Sequence, residues 1–114
     1  YLDVTDLVAP HIHFFTAREG DRILGTGALA VKTGYGEVKS MFVSEAARGK
    51  GVAQAILRQI EDQAREEGLP ILKLETGNVL YDAHRLYRRF GFTDCGVFGD
   101  YDEAKSSIFM EKPL

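Results

Sequence analysis

Arg48-Gly49-Lys50-Gly51-Val52-Ala53 lies between the apolar run Met41-Phe42-Val43 and an amphipathic stretch from Val52 to Ala64, so a glycine-rich turn passes directly from a strand into a helix. Such a junction suits a diphosphate. Its two glycines let the backbone approach a ligand closely, the first helical turn leaves N–H groups without intrahelical acceptors, and the helix dipole adds partial positive charge at the same end. Arg48 and Lys50 add full charges beside it. A P-loop of the form Gly-x-x-x-x-Gly-Lys-Ser/Thr is excluded, because Gly51 follows Lys50 and no hydroxyl is placed for magnesium. A dinucleotide fingerprint fails as well: its third glycine position holds Gln54, and one strand–helix–strand unit follows where that fold repeats several.

The elements that must hold this turn follow from periodicity. In 12–17, His13, Phe15 and Ala17 alternate with Ile12, Phe14 and Thr16, and Glu19-Gly20-Asp21-Arg22 predicts a hairpin turn into a second strand, Ile23–Val31. Gly34-Tyr35-Gly36 turns the chain into a third strand, Glu37–Val43. The next helix places Val52, Ile56, Ile60 and Ala64 on one stripe beside Ala53 and Leu57, with Arg58, Glu61, Asp62, Arg65 and Glu66 toward water, and Gly68 and Pro70 end it. Ile71–Thr76 reads as a strand parallel to the third, since a helix connects them. Asp82 is the expected N-cap of a second helix with the stripe Ala83, Leu86, Tyr87 and Phe90, closed by Gly91; strands near Cys95–Phe98 and Ser107–Glu111 follow. The expected class is α+β, a mixed and mostly antiparallel sheet in the order β-β-β-α-β-α-β-β with helices packed on it.

The chain of 114 residues is 45% hydrophobic and 27% charged, enough for one compact domain and too short for two. With no run of ~20 apolar residues and no basic-then-apolar leader, the expected form is soluble and cytoplasmic. Cys95, the single cysteine, cannot form an internal disulfide. A net charge of −3 with intermixed signs argues against nucleic acid and suits a cationic amine.

What remains of the loop pattern is Arg-x-x-Gly-x-Ala, carried by Arg48, Gly51 and Ala53, and it resembles the pyrophosphate loop of the GNAT N-acetyltransferase superfamily. The ending Leu86-Tyr87-x-x-Phe90-Gly91-Phe92 extends the resemblance, which covers nearly the whole chain from the family's second strand onward. It is similar above all to small bacterial members, with the strand end Leu74-Glu75-Thr76-Gly77 and the tail Phe98-Gly99-Asp100-Tyr101 to Ser107-Ile108-Phe109-Met110. The resemblance implies acetyl-CoA as co-substrate, no metal, and direct transfer of the acetyl group to a primary amine on a small molecule or peptide. A homodimer through the last strands is common for the fold. The family fold also implies an N-terminal strand and one or two helices that this sequence lacks, unless Tyr1–Pro10 is their remnant. Residues 1–114 are therefore expected to form a single, N-terminally incomplete acetyl-CoA-binding domain, and a non-catalytic CoA-binding regulatory module is the alternative, because the missing elements would wall the acceptor pocket.

The same resemblance supplies roles. The two parallel strands splay beside a bulge, so Met41, Phe42 and Val43 offer main-chain contacts to the pantetheine and thioester, while Arg48, Gly49, Lys50, Gly51, Val52 and Ala53 take the diphosphate. Glu37, at the start of its strand, is the expected base for the amine proton, often through water, with Glu75 in reserve; by its residues alone it is equally an edge carboxylate facing solvent or pairing with Lys39 or Arg22. Tyr87 is the expected acid for the coenzyme thiolate, where its position alone gives a core aromatic. Asn78 bonds the pantetheine arm or caps the next turn. His11 and His13 are expected on one strand face without a third ligand, His84 on the polar side of its helix, Cys95 as a small buried residue, and the acidic and aromatic run Asp100-Tyr101-Asp102-Glu103 at the acceptor mouth.

Overall fold

The computed structural model describes residues 3–103 and 105–114, and of residues 3 and 5–9 the backbone alone. Among these, the elements are β1 (Asp3–Ala9), β2 (Ile12–Glu19), β3 (Arg22–Lys32), β4 (Tyr35–Val43), a 3₁₀ turn (Glu45–Ala47), α1 (Val52–Glu66), β5 (Ile71–Gly77), α2 (Tyr81–Arg89), β6 (Thr93–Asp94) and β7 (Ser107–Pro113). They form one α+β domain around a seven-stranded sheet in the order β1-β2-β3-β4-β5-β7-β6. Its one parallel pair is β4 with β5, joined by α1 as a crossover helix.

The three-strand meander expected at the front is preceded by β1, which pairs antiparallel with β2 from Asp3↔Arg18 to Ala9↔Ile12. Tyr1 and Leu2 lie outside the described residues, but 3–9 form a strand. Aspartates at 3 and 6 blur the apolar alternation that would announce one. The turn into β2 is Pro10-His11: proline presets the first central φ and His11 takes a φ of 64° at the second, the pattern of a type II turn. The expected strand Cys95–Phe98 is corrected to the two-residue β6 just before it; Cys95 N–H still donates to Phe109 O, 2.8 Å, and Gly96 then ends the ladder.

The core is the contact between the sheet and the helical stripes. Val52, Ile56, Leu57, Ile60 and Ala64 of α1 are all at most 2% exposed and pack with Leu29, Val38, Leu72, Leu74 and Met110, while Tyr87 and Phe92 bring α2 and its end into the same cluster. Burying a side chain of this size contributes roughly 1.5–3 kcal/mol, so the stripe outweighs the weak propensity of its β-branched residues. Two expectations fail here. Glu61 is buried rather than solvated: Lys112 of β7 reaches its Oε1 at 2.6 Å and Arg65 at 3.3 Å, and the Lys112 ammonium also lies 4.3 Å from the Phe90 ring centre. Asp82 does not cap α2; Leu80 holds that position with no side-chain bond, and Asp82, inside the first turn, pairs with Arg85.

β3 must run very close to both α1 and β4. A Cβ on Gly27 would lie 2.5 Å from Ile56 Cγ2 and 2.6 Å from Met41 Sδ, and one on Gly25 would lie 2.8 Å from Phe42 O and from Val52 Cγ1. Gly27→Ala is therefore expected to destabilise the domain by about 1–3 kcal/mol through overpacking, read as a lower urea midpoint at unchanged slope. An unchanged midpoint would show that the β3–α1 contact has slack.

Candidate active site

The pairing of β4 with its two neighbours opens the site. Toward β5 the register is limited to Gly36↔Leu72 and Glu37↔Lys73, after which the two parallel strands diverge. Toward β3 the ladder slips between Thr26 and Ala28, so that Ser40 and Met41 together face Gly27. Ser40 sits at a φ of 57°, and Thr26 Oγ1 donates to its carbonyl at 3.0 Å, holding the bulge. Beyond it, Met41, Phe42 and Val43 keep β3 on one side and have no strand partner on the other.

That gap opens into a cavity of about 810 Å³ lined by Met41–Val43, by the turn before α1 and by α2. At the turn Gly49 and Gly51 adopt φ of 80° and 76°, a left-handed conformation that few side chains tolerate, and the helix begins with Ala55 N–H donating to Gly51 O at 3.1 Å. The N–H groups of Val52, Ala53 and Gln54 precede that bond. Arg48, Gly49, Gly51, Val52 and Ala53 line the cavity; Lys50 is exposed beside it and does not.

Tyr87 enters from the opposite wall. Its ring packs edge-on against Phe92 at 5.8 Å, its residue exposure is 7%, and its hydroxyl has no hydrogen-bond partner among the described residues. Burial pushes the phenol up to about 12.

Asp82, paired with Arg85, is the one acidic residue of the lining, and the candidate bases lie elsewhere. Glu37, at the last paired register before the strands part, is 4% exposed and does not line the cavity. Tyr101 donates a 2.5 Å hydrogen bond to its Oε2, and Lys39 Nζ stands 3.8 Å from the same oxygen. Of its expected alternatives, solvent exposure is therefore ruled out and the pairing with Lys39 is present. Burial first, then the bond to Glu37 and its charge, raise the Tyr101 phenol well above its ordinary range. Tyr101 stacks edge-on with Phe98 and Phe109, and Phe98 with Tyr35, so an aromatic cluster roofs Glu37. Glu75 accepts from Ser107 Oγ at 2.6 Å.

Asn78 turns away from the cavity: its Nδ2 donates to Lys105 O at 2.9 Å, which ties the end of β5 to the last loop. His84 is buried, not solvated, and its Nε2 donates to Gly77 O at 2.7 Å, anchoring α2 to β5. His11 sits in the turn before β2 while His13 is buried with Nε2 3.0 Å from Glu67 Oε1, so the two imidazoles do not form a pair; among the described residues no group of three or more His, Cys, Asp or Glu is placed to hold a metal. Cys95 is half-buried, and burial and then the Glu111 charge raise its thiol, the opposite of an activated nucleophile. Sequence reasoning missed Ala47 and Gln54 of the lining and, around α2, Leu80, Tyr81, Asp82, Ala83, Leu86 and Arg89. Helical spacing carried part of the signal, since 83 and 87 share one row of α2 and 82, 86 and 89 another.

A strand bulge, a splayed parallel pair and a glycine turn at a helix start thus surround one elongated cavity. Residues 2–92 match the Acetyltransferase (GNAT) family. The chain belongs to the GNAT acetyltransferase family. It is 50% identical over 117 residues to the IAA acetyltransferase of Azospirillum brasilense, covering 99% of this chain and 75% of that protein. A solved chain from Klebsiella pneumoniae superposes with a TM-score of 0.93 at 26% identity, covering 99% of this chain and 97% of that one. A GNAT family acetyltransferase from Elizabethkingia anophelis, solved with acetyl-CoA bound, shares the fold at a TM-score of 0.83 and 15% identity over 99% and 98% of the two chains. The protein is thus an acetyltransferase, and among its described residues no helix is long and apolar enough to cross a membrane.

In this acetyltransferase the burial of Tyr87 has a measurable consequence. Below the unfolded value of 10.0 native and unfolded chains both hold the phenolic proton and its contribution is complete; as pH rises toward about 12 only the native chain holds it, so unfolding releases a proton and stability falls. Tyr101 acts in the same sense. The melting temperature of Tyr87→Phe is expected to decline less steeply than the parent's in that alkaline window, and equal slopes would mean that the hydroxyl is hydrated in the native state.

Proposed function

We propose that the domain is an N-acetyltransferase that moves the acetyl group of acetyl-CoA directly onto a primary amine. The observation that carries this reading is the unpartnered Tyr87 hydroxyl, opening onto the cavity that begins at the glycine turn of α1. The residues present fit the coenzyme. The N–H groups of Val52, Ala53 and Gln54, the helix dipole and Arg48 answer a diphosphate, and the unpaired main chain of Met41–Val43 answers the amides of a pantetheine arm as a neighbouring strand would.

In this reading the bound coenzyme supplies an activated thioester, and this chain's residues manage its surroundings. A main-chain N–H beyond the bulge donates to the acetyl carbonyl oxygen as negative charge develops there. Tyr87, whose phenol holds its proton throughout the neutral range, gives that proton to the departing sulfur. Glu37, in the last paired register, takes the proton of the attacking amine through water, its Oε2 already engaged by Tyr101.

Two experiments test this. Calorimetric titration of acetyl-CoA is expected to give micromolar binding that Gly51→Glu abolishes, since a carboxylate at the turn repels the diphosphate and a side chain strains a φ of 76°. Thiol release with an amine found by screening is then expected to fall ~10²-fold in kcat for Tyr87→Phe and for Glu37→Gln with coenzyme affinity retained. Unchanged kcat in both variants would remove the acid and base assigned here.

A further inference from the structure

Two guanidinium groups line the cavity, Arg48 on the turn before α1 and Arg89 in the last turn of α2, and neither has a carboxylate partner among the described residues. The other cations of α2 are paired: Arg85 with Asp82 and Arg88 with Asp94 at 2.9 Å. In a chain of net charge −3, two arginines left open at one cavity call for an anion with more charge than the α1 turn alone must meet. The turn, with its free N–H groups and Arg48, already answers a diphosphate. Arg89 is on the facing wall, two residues beyond Tyr87, and a guanidinium there bonds an anion about twice as strongly as the neutral carbonyls of a pantetheine arm.

The geometry points to Arg89 as the binding residue for the ribose 3′-phosphate, the one remaining charged group of coenzyme A. This assignment rests on the proposed use of acetyl-CoA and goes beyond it, because it makes the cavity selective for the 3′-phosphorylated coenzyme. A guanidinium presents a fork of donors that fits a phosphate bidentately, and Arg89 is exposed, so it contributes attraction without a buried-charge penalty.

Coenzyme A and 3′-dephospho-coenzyme A, titrated by calorimetry into the parent chain and into Arg89→Met, Arg88→Met and Arg48→Met, test the inference. The expected result is a parent that prefers coenzyme A by about tenfold, a preference lost in Arg89→Met through weaker binding of coenzyme A alone, and kept in Arg88→Met. Arg48→Met weakens both ligands alike. A parent that binds the two equally, or an Arg89→Met variant that keeps the preference or loses affinity for both, overturns the assignment while leaving the coenzyme reading in place. A folded parent that binds neither overturns the coenzyme reading itself and this inference with it. Thermal melts of the variants separate loss of the contact from loss of fold.

Discussion

The site depends on how close one pair of strands can come. Because Gly25 and Gly27 carry no side chains, β3 sits against Ile56 and Val52 on one side and accommodates the extra residue of β4 on the other. The bulge at Ser40–Met41 then turns β4 away from β5 after two registers of pairing. Everything chemical follows from that divergence. Main-chain groups that would have bonded a neighbouring strand face a cavity, the turn into α1 ends at its rim, and α2 closes the far wall with Tyr87. The energetic support lies in the apolar contact of α1 with the sheet, and the Glu61–Lys112 pair, whose desolvation offsets its attraction, fixes how α1 meets β7 across the divergence.

Charge is sorted about this opening. Arg48, Arg89 and the helix N–H groups face the cavity, whereas Glu37 and Glu75 are each held by a hydroxyl from the segment that ends at β7, Tyr101 and Ser107. In the proposed reading, an anionic carrier and a cationic acceptor would therefore meet opposite fields within one small domain. The hydroxyl donors also fix which carboxylate oxygens remain free, so orientation is set before any ligand arrives.

Much of this was legible in the residue order. The α1 stripe, the alternation of His13, Phe15 and Ala17, the glycine turn and the crossover to β5 all follow from local patterns that tertiary packing reinforces. What escaped reading had a common cause, since it was settled by partners distant in sequence. Glu61 reads as a solvated helix residue until Lys112 arrives from β7, and His84 reads as polar until the carbonyl of Gly77 stands beside it. β1 was hidden by its aspartates, and its pairing is set by the Pro10-His11 turn. The lining of α2 lay in its helical rows, but no local pattern says which row of a short helix meets a cavity.

The two-register contact between β4 and β5 also divides the sheet mechanically. One half comprises β1 to β4 and the other β5, β7 and β6, with α1 and a few side-chain ties spanning the seam. Such a seam lowers the cost of sub-global opening, since few backbone bonds must break to part the halves once α1 lifts. In the proposed reading, a coenzyme stretched along Met41–Val43 and reaching α2 would occupy the place of the missing ladder. Such a ligand would act as a structural strut, stabilising the native sheet by an amount fixed by its concentration relative to its dissociation constant.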